Sequence, residues 1–257
     1  MSPVGEDPEG GHDRLLEAVV AAVAADGAGA ARLVHDVVRE ADAVREADGR
    51  RGARRSRRGA LSVRLTEAFA AARPLALRRH RGLGVEPSTT DATLADIDRK
   101  IAAYGDDADI PWLIGIARAD VLAFGRLQAA RETGGRGRDL HVPEGGPLAP
   151  PLVDDALSRI RSAFPGEALV CTSWLLDPAL SSLPAGSNIR AFAARFDVAG
   201  CAPTQEGGRA AAFFVFRRPL AEVLDPDAVR PRTTLERLVA ERLRSGAGWS
   251  EPAGTLR

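Results

Sequence analysis

A chain of 257 residues with 45 % apolar and 27 % charged residues is long enough to bury a real hydrophobic core, in one large domain or two small ones. A formal net charge of zero excludes a protein drawn as a whole to nucleic acid or to an anionic membrane surface. Two cysteines, Cys171 and Cys201, are too few for an oxidised disulfide framework, and four scattered histidines with no CxxC give no metal-ligand spacing, so no metal is expected.

The N-terminal MSPVGEDPEGGHD is acidic and rich in Gly and Pro, without the basic start and apolar core of a signal peptide. The longest apolar run there, Ala18 to Ala25, is too short to span a bilayer. Residues 1–12 are expected to be disordered, and the protein to be cytoplasmic with reduced thiols. From Asp13, the spacing of Leu15, Leu16, Val19, Val20 and Val23 predicts a helix. A second helix carries Leu33, Val34, Val37, Val38, Ala41 and Val44 on one stripe and stops near Gly49. Six arginines then fall between Arg50 and Arg58, with Gly and Ser among them and no aromatic residue. Such a run reads as a solvated loop (49–59) rather than a nucleic-acid patch. Helices are predicted over 60–72, over 91–104 with Ser88, Thr89 and Thr90 as caps, and over Pro111–Ala117 with Trp112 in the core.

Near residue 118 the texture changes, and we place a domain boundary there: a helical domain over 13–117 and a mixed domain over 118–257. Val121–Arg131 and Asp139–Val142 read as two strands of a hairpin joined by the glycine-rich ETGGRGR. Arg126 and Gln128 read as a solvated polar face. A helix follows with Leu152, Ala156, Ile160 and Phe164 on its inner face. Ala168–Leu176 is expected to be a buried strand, Ser187–Phe196 a helix, and Ala210–Arg217 a second buried strand. Thr233-x-x-Glu236 is a capping box that opens a last helix, closed by Gly246 and Gly248. The fold class is therefore α+β.

The pattern FGRLQ (124–128), LHVPEGGPL (140–148), SWLLDPAL (173–180) and SNI (187–189) resembles an actinobacterial family of acyltransferase domain-containing proteins. These proteins have a helical N-terminal domain and a GNAT-like C-terminal domain, a mixed sheet flanked by helices. The resemblance runs from about Leu94 to Gly248-Trp249 and is weak before residue 85. It implies N-acyl transfer from acyl-CoA or acetyl-CoA to an amine, on a small molecule or a protein. It also implies a cofactor site where the first mixed-domain strand meets the next helix: Val142, then Gly145 and Gly146, whose lack of a side chain lets a phosphate approach the backbone. Asn188, beyond the carboxyl end of the next strand, joins that set. The usual Q/R-x-x-G-x-G/A loop is absent. Glu144 stands where an anion would sit, and Pro147 removes a donor.

Amine acylation needs a proton acceptor, donors for the tetrahedral oxyanion and an acid for the leaving thiolate. His141 and Glu144 are the candidate bases. Cys171 and Ser173, two apart on one strand face, are the candidate acids, with a buried structural cysteine the commoner case. A Cys171–His141 nucleophilic pair is the hydrolase alternative. A non-catalytic GNAT-like module binding a ligand or protein is the other, favoured by the missing phosphate loop.

Overall fold

The computed structural model describes residues 8–26, 29–50 and 59–257. The disorder expected of residues 1–7, and the loop expected of 51–58 with most of the arginine run, lie outside the described residues. The chain divides into two compact units: Met1–Arg131 with Val142–Gly145, and Glu132–His141 with Gly146–Arg257. No helix among the described residues is long and apolar enough to cross a membrane.

The first unit is helical. It comprises α1 (Pro8–Ala24), α2 (Gly29–Arg50), α3 (Ala60–Gly82), α4 (Pro87–Tyr104) and α5 (Ile110–Ala117), followed by a hairpin of β1 (Val121–Phe124) and β2 (Leu127–Ala130). Leu15, Val19, Val37, Leu65, Phe69, Leu94, Ile97 and Ile114 fill its core. Trp112 packs against that core only partly buried. α1 starts at Pro8, ahead of the expected Asp13. α4 likewise starts a turn early, with Pro87 in a first-turn position where no N–H is needed. Ser88, Thr89 and Thr90 therefore lie inside the helix rather than capping it. α3 runs past Pro74 to Gly82, well beyond the expected end near 72. Ala72, Ala76 and His80 keep one face buried, and that packing outweighs the hydrogen bond Pro74 removes.

Arg118 ties this unit together. Its guanidinium donates to Ala22 O at 3.0 Å and to Ala25 O, occupying carbonyls that the end of α1 leaves without partners. Arg79 donates to Arg118 O at 2.9 Å and pairs with Asp26. The stretch 121–131 is not one strand. Gly125 (φ +66°) and Arg126 make a two-residue turn, and Phe124 pairs with Leu127. Gln128 is correspondingly no part of a solvated face: it is 1 % exposed and donates to the fully buried Asp96 at 2.8 Å.

The second unit has four strands in the order β3-β4-β6-β5: β3 (Arg138–His141), β4 (Leu169–Thr172), β5 (Phe196–Val198) and β6 (Ala253–Leu256). β3 and β4 are parallel, and β6 pairs antiparallel with both β4 and β5, so the group is mixed. The crossover from β3 to β4 is α6 (Pro150–Ala163), which buries Val153, Ala156, Leu157 and Ile160. Leu152, expected inside, is exposed. α7 (Asn188–Ala193) begins after its Ser187 cap, as expected, but ends early enough for Phe196 to open a strand. The expected strand Ala210–Arg217 is instead the end of α8 (Gln205–Phe216). Thr204 accepts from Gly207 N at 2.9 Å and starts that helix, and the alanines carry it on. α9 (Leu220–Leu224) and α10 (Thr234–Arg244) follow, the latter opened by the Thr233/Glu236 capping box.

His80 carries a testable consequence. It is fully buried in α3, with Nε2 3.3 Å from Ile116 O and Nδ1 without a hydrogen-bond partner among the described residues. Burial holds its pKa below the ordinary 6.5. The unfolded chain therefore binds this proton more readily than the folded one. The resulting stability is complete above pH 6.5 and is lost as pH falls through the folded pKa. Urea unfolding at pH 8 and pH 5 should show a drop that His80→Leu reduces. An unchanged drop in that variant would place the sensitivity elsewhere.

Candidate active site

In the second unit the ladder between the two parallel strands stops short of their ends. Pairing of β3 with β4 is limited to Arg138↔Leu169 and Asp139↔Val170. β3 then continues through Leu140 and His141, and β4 through Cys171 and Thr172, beyond the last registered pair of this ladder. β4 keeps its other edge on β6 as far as Thr172↔Ala253, so β3 is the strand that departs. The closed end of the V is fastened. Arg138 N donates to Ala168 O at 2.8 Å, and the Arg138 guanidinium grips Glu167 through two bonds of 2.9 and 2.8 Å. Gly137 (φ +133°) makes this approach possible, since a Cβ there would stand 2.4 Å from Ala168 O.

Register decides which side chains meet. Asp139 lies beside Val170, so His141 and Thr172 share the sheet face of those two residues, while Leu140 and Cys171 share the other. The Cys171–His141 nucleophilic pair therefore fails: the two groups project to opposite sides. Cys171 is 2 % exposed. Burial, and secondarily the nearby Asp139, push its thiol up to about 12. A thiol so weakly acidic is a poor proton donor to a leaving thiolate and a poor nucleophile. Ser173 is on the Cys171 side, and its hydroxyl accepts from Leu175 N at 3.1 Å, which ends β4 and starts a 3-10 turn. The strand expected to reach Leu176 thus stops at Thr172.

Asp177 caps a second 3-10 turn through Ala179 N at 2.8 Å. Its other oxygen accepts from Ser250 N and Ser250 Oγ, both at 2.7 Å, and the residue is only 3 % exposed. Trp249 Nε1 adds a 2.9 Å bond to Trp174 O. The WLLD stretch is therefore a clamp on Trp249-Ser250, the residues that lead into β6. Nothing in its sequence announced the partner, because β6 itself was not read.

The loop after β3 divides. Within the first unit, Glu144 pairs with Lys100, the single lysine of the chain, at 2.8 Å, and Arg126 donates to Pro143 O at 2.7 Å. Lys100 also lies 5.9 Å from the ring centres of Tyr104 and Trp112. Glu144 is thus tied to a cation rather than standing ready as a base. Val142 is half-buried, and Gly145 and Gly146 are exposed, with φ of +121° and +72° and open space where a Cβ would be. α6 starts with Pro150 and Pro151, so two N–H donors that its first turn could offer an anion are missing. Asn188 opens α7, which packs on α6 and on the two 3-10 turns. Glu251 was missed entirely. It precedes β6 in line with Ala253, on the face of Thr172 and His141. Only the register of an unread strand could have revealed it.

A mixed sheet with one parallel strand pair, flanked by helices, is an α+β architecture that comparison with known proteins assigns to a family. Residues 75–256 match the model of the GNAT-like C-terminal domain, and the chain belongs to this family. It is similar to the crystal structure of an acyltransferase in complex with decanoyl-CoA and teicoplanin, with a TM-score of 0.69 and 26 % identity, over 100 % of this chain and 89 % of that one. A structure of an acyltransferase with CoA and 10C-teicoplanin gives 0.66 and 26 % over the same shares. One with decanoyl-CoA alone gives 0.64 and 27 %, again over 100 % and 89 %. No curated protein matches the chain.

Replacing Asp177 by Ala would strand two buried Ser250 donors, at a cost of about 1–3 kcal/mol each when unpaired, and free the half-buried Ala179 N–H. Denaturant unfolding of Asp177→Ala should show a loss of at least ~2 kcal/mol. A loss under about 1 kcal/mol would mean that Ser250 finds other partners.

Proposed function

We propose that the protein transfers an acyl group from an acyl-CoA to an amine. The observation that carries this reading is the interrupted β3–β4 ladder. A pantetheine arm laid into the gap can take up main-chain hydrogen bonds as an added strand does. The thioester carbonyl then lies among backbone N–H donors that need not reorganise as its oxygen becomes an oxyanion. His141, on the accessible face, takes a proton from the attacking nitrogen as the C–N bond forms and passes it to the departing sulfur. Ser173 and Cys171 lie on the other face and serve packing and turn formation. The ligands of the similar structures support a medium-chain acyl donor such as decanoyl-CoA and an amine-bearing small molecule as acceptor. Val142, Gly145, Gly146 and Asn188 are proposed donor contacts, with few helix N–H groups left for the pyrophosphate. That same shortage favours, as a second reading, a module that binds an acyl or pantetheine group without turnover.

Calorimetric titration with decanoyl-CoA and acetyl-CoA tests donor binding, and thiol release with glucosamine, benzylamine and teicoplanin tests transfer. The transferase reading expects decanoyl-CoA to bind and at least one amine to release thiol. In His141→Gln, kcat should fall by ~10²-fold with decanoyl-CoA affinity retained. Binding without release in any amine selects the module, and no binding of either donor ends the acyl-CoA reading.

A further inference from the structure

Three constraints converge on the carboxylate of Glu251. The first is register: β4 and β6 pair through Thr172↔Ala253, and Ser173 N still reaches Pro252 O at 3.3 Å, so Glu251 lies one step beyond the ladder. Burial alternates accordingly. Pro252 and Gly254 are buried, whereas Glu251 and Ala253 are half-buried and Thr255 is exposed. Glu251 thus shares the face of Thr172 and His141, at the end of the sheet where the β3–β4 ladder has stopped. The second is fixation. The 249–250 backbone is held on one side by Asp177 and on the other by the first turn of α8: Thr204 N donates to Trp249 O at 3.0 Å, and a Cβ on Gly207 would stand 2.4 Å from that oxygen. The third is the company this forces. Glu206, one residue before Gly207, is brought beside Glu251, one residue after Ser250. Glu251 has no ion pair or hydrogen bond among the described residues, in a chain where arginines neutralise many carboxylates.

We infer that Glu251 accepts the proton of the incoming ammonium, making the free amine that attacks the thioester, and that Glu206 tunes it. This rests on the acyl-transfer reading above. The environments of the two carboxylates differ. Glu206 lies in the first turn of α8, where the helix dipole favours its charge. Glu251 is partly desolvated, and that burial, with the charge of Glu206 added, raises its pKa above the ordinary 4.5. A carboxylate made more basic in this way is better suited to deprotonate an ammonium. The steps balance. R–NH3+ gives one proton to Glu251. The amine nitrogen bonds to the thioester carbon, and the C–S bond breaks. His141 carries the second nitrogen proton to the thiolate, leaving an amide, CoA–SH and one proton on Glu251 for release to water.

The test uses the full chain with decanoyl-CoA and whichever of glucosamine, benzylamine and teicoplanin releases thiol fastest. Glu251→Gln should lower kcat/KM for the amine by ~10²-fold or more. Decanoyl-CoA affinity should hold, and Glu251→Asp should restore part of the rate. Glu206→Gln should move the acidic limb of the pH profile to lower pH. Independently of turnover, carbon-13 NMR should show the Glu251 carboxyl titrating above 4.5, and at lower pH in Glu206→Gln. Wild-type kcat/KM in Glu251→Gln, or titration at or below 4.5, overturns the inference while leaving acyl transfer intact. Absence of thiol release by the wild-type protein overturns both.

Discussion

A single buried carboxylate organises the second unit. Asp177 accepts from Ala179 on its own side and twice from Ser250 across the fold. Those bonds join the turn after β4 to the segment that enters β6, so β4 acquires its antiparallel neighbour at a defined register. With β4 committed to β6, the divergence at its other edge falls to β3. The short β3–β4 ladder is therefore the product of one strand held firmly on one side and released on the other. The release is bounded below by Arg138, whose guanidinium binds Glu167 and lies 3.4 Å from the centre of the Phe164 ring. Such a cation over an aromatic face adds to the ion pair and keeps the closed end closed.

The chemistry follows from alternation along these strands. Moving the β3–β4 register by one residue would put His141 on the face of Cys171 and bury it. The observed register instead separates a protonated buried thiol from an accessible imidazole. It also sets a carboxylate two strands away on the imidazole's face. Burial thus sorts similar-looking polar residues into enclosed groups and accessible ones. Polarity in the first unit is handled differently. Asp96 is enclosed there and satisfied by Gln128 and Arg99, and Lys100 bridges toward Glu144. Those carboxylates are spent on structure.

Local signals were legible in the sequence and long-range ones were not. The Thr233/Glu236 box and the Ser187 cap read correctly because each is complete within four residues. The α+β class, the acyltransferase-type family and the alternation of His141 were equally plain. AAAFFVFR misled because a short apolar run has no period of its own. Its helical character is set upstream by Thr204 and by Gly207, which brings α8 against Trp249. β6, read as nothing, is four residues containing Gly254, where a Cβ would stand 2.9 Å from Phe196 Cβ and 3.0 Å from Leu176 Cδ1. A strand so small and poor in apolar residues exists only through its neighbours. Since Glu251 takes its place from that strand, the same blind spot hid it.

The position of β6 bears on how the unit comes together. It is the last of the six strands in sequence, yet it lies between β4 and β5 and is the only link between them in the ladder. During synthesis, β4 and β5 have no shared neighbour until residues 253–256 are made. Until then the β4 edge beside Cys171 is bare, an adhesive surface of the kind that recruits stray strands. The nascent chain therefore carries an open strand edge until its last-made strand docks there.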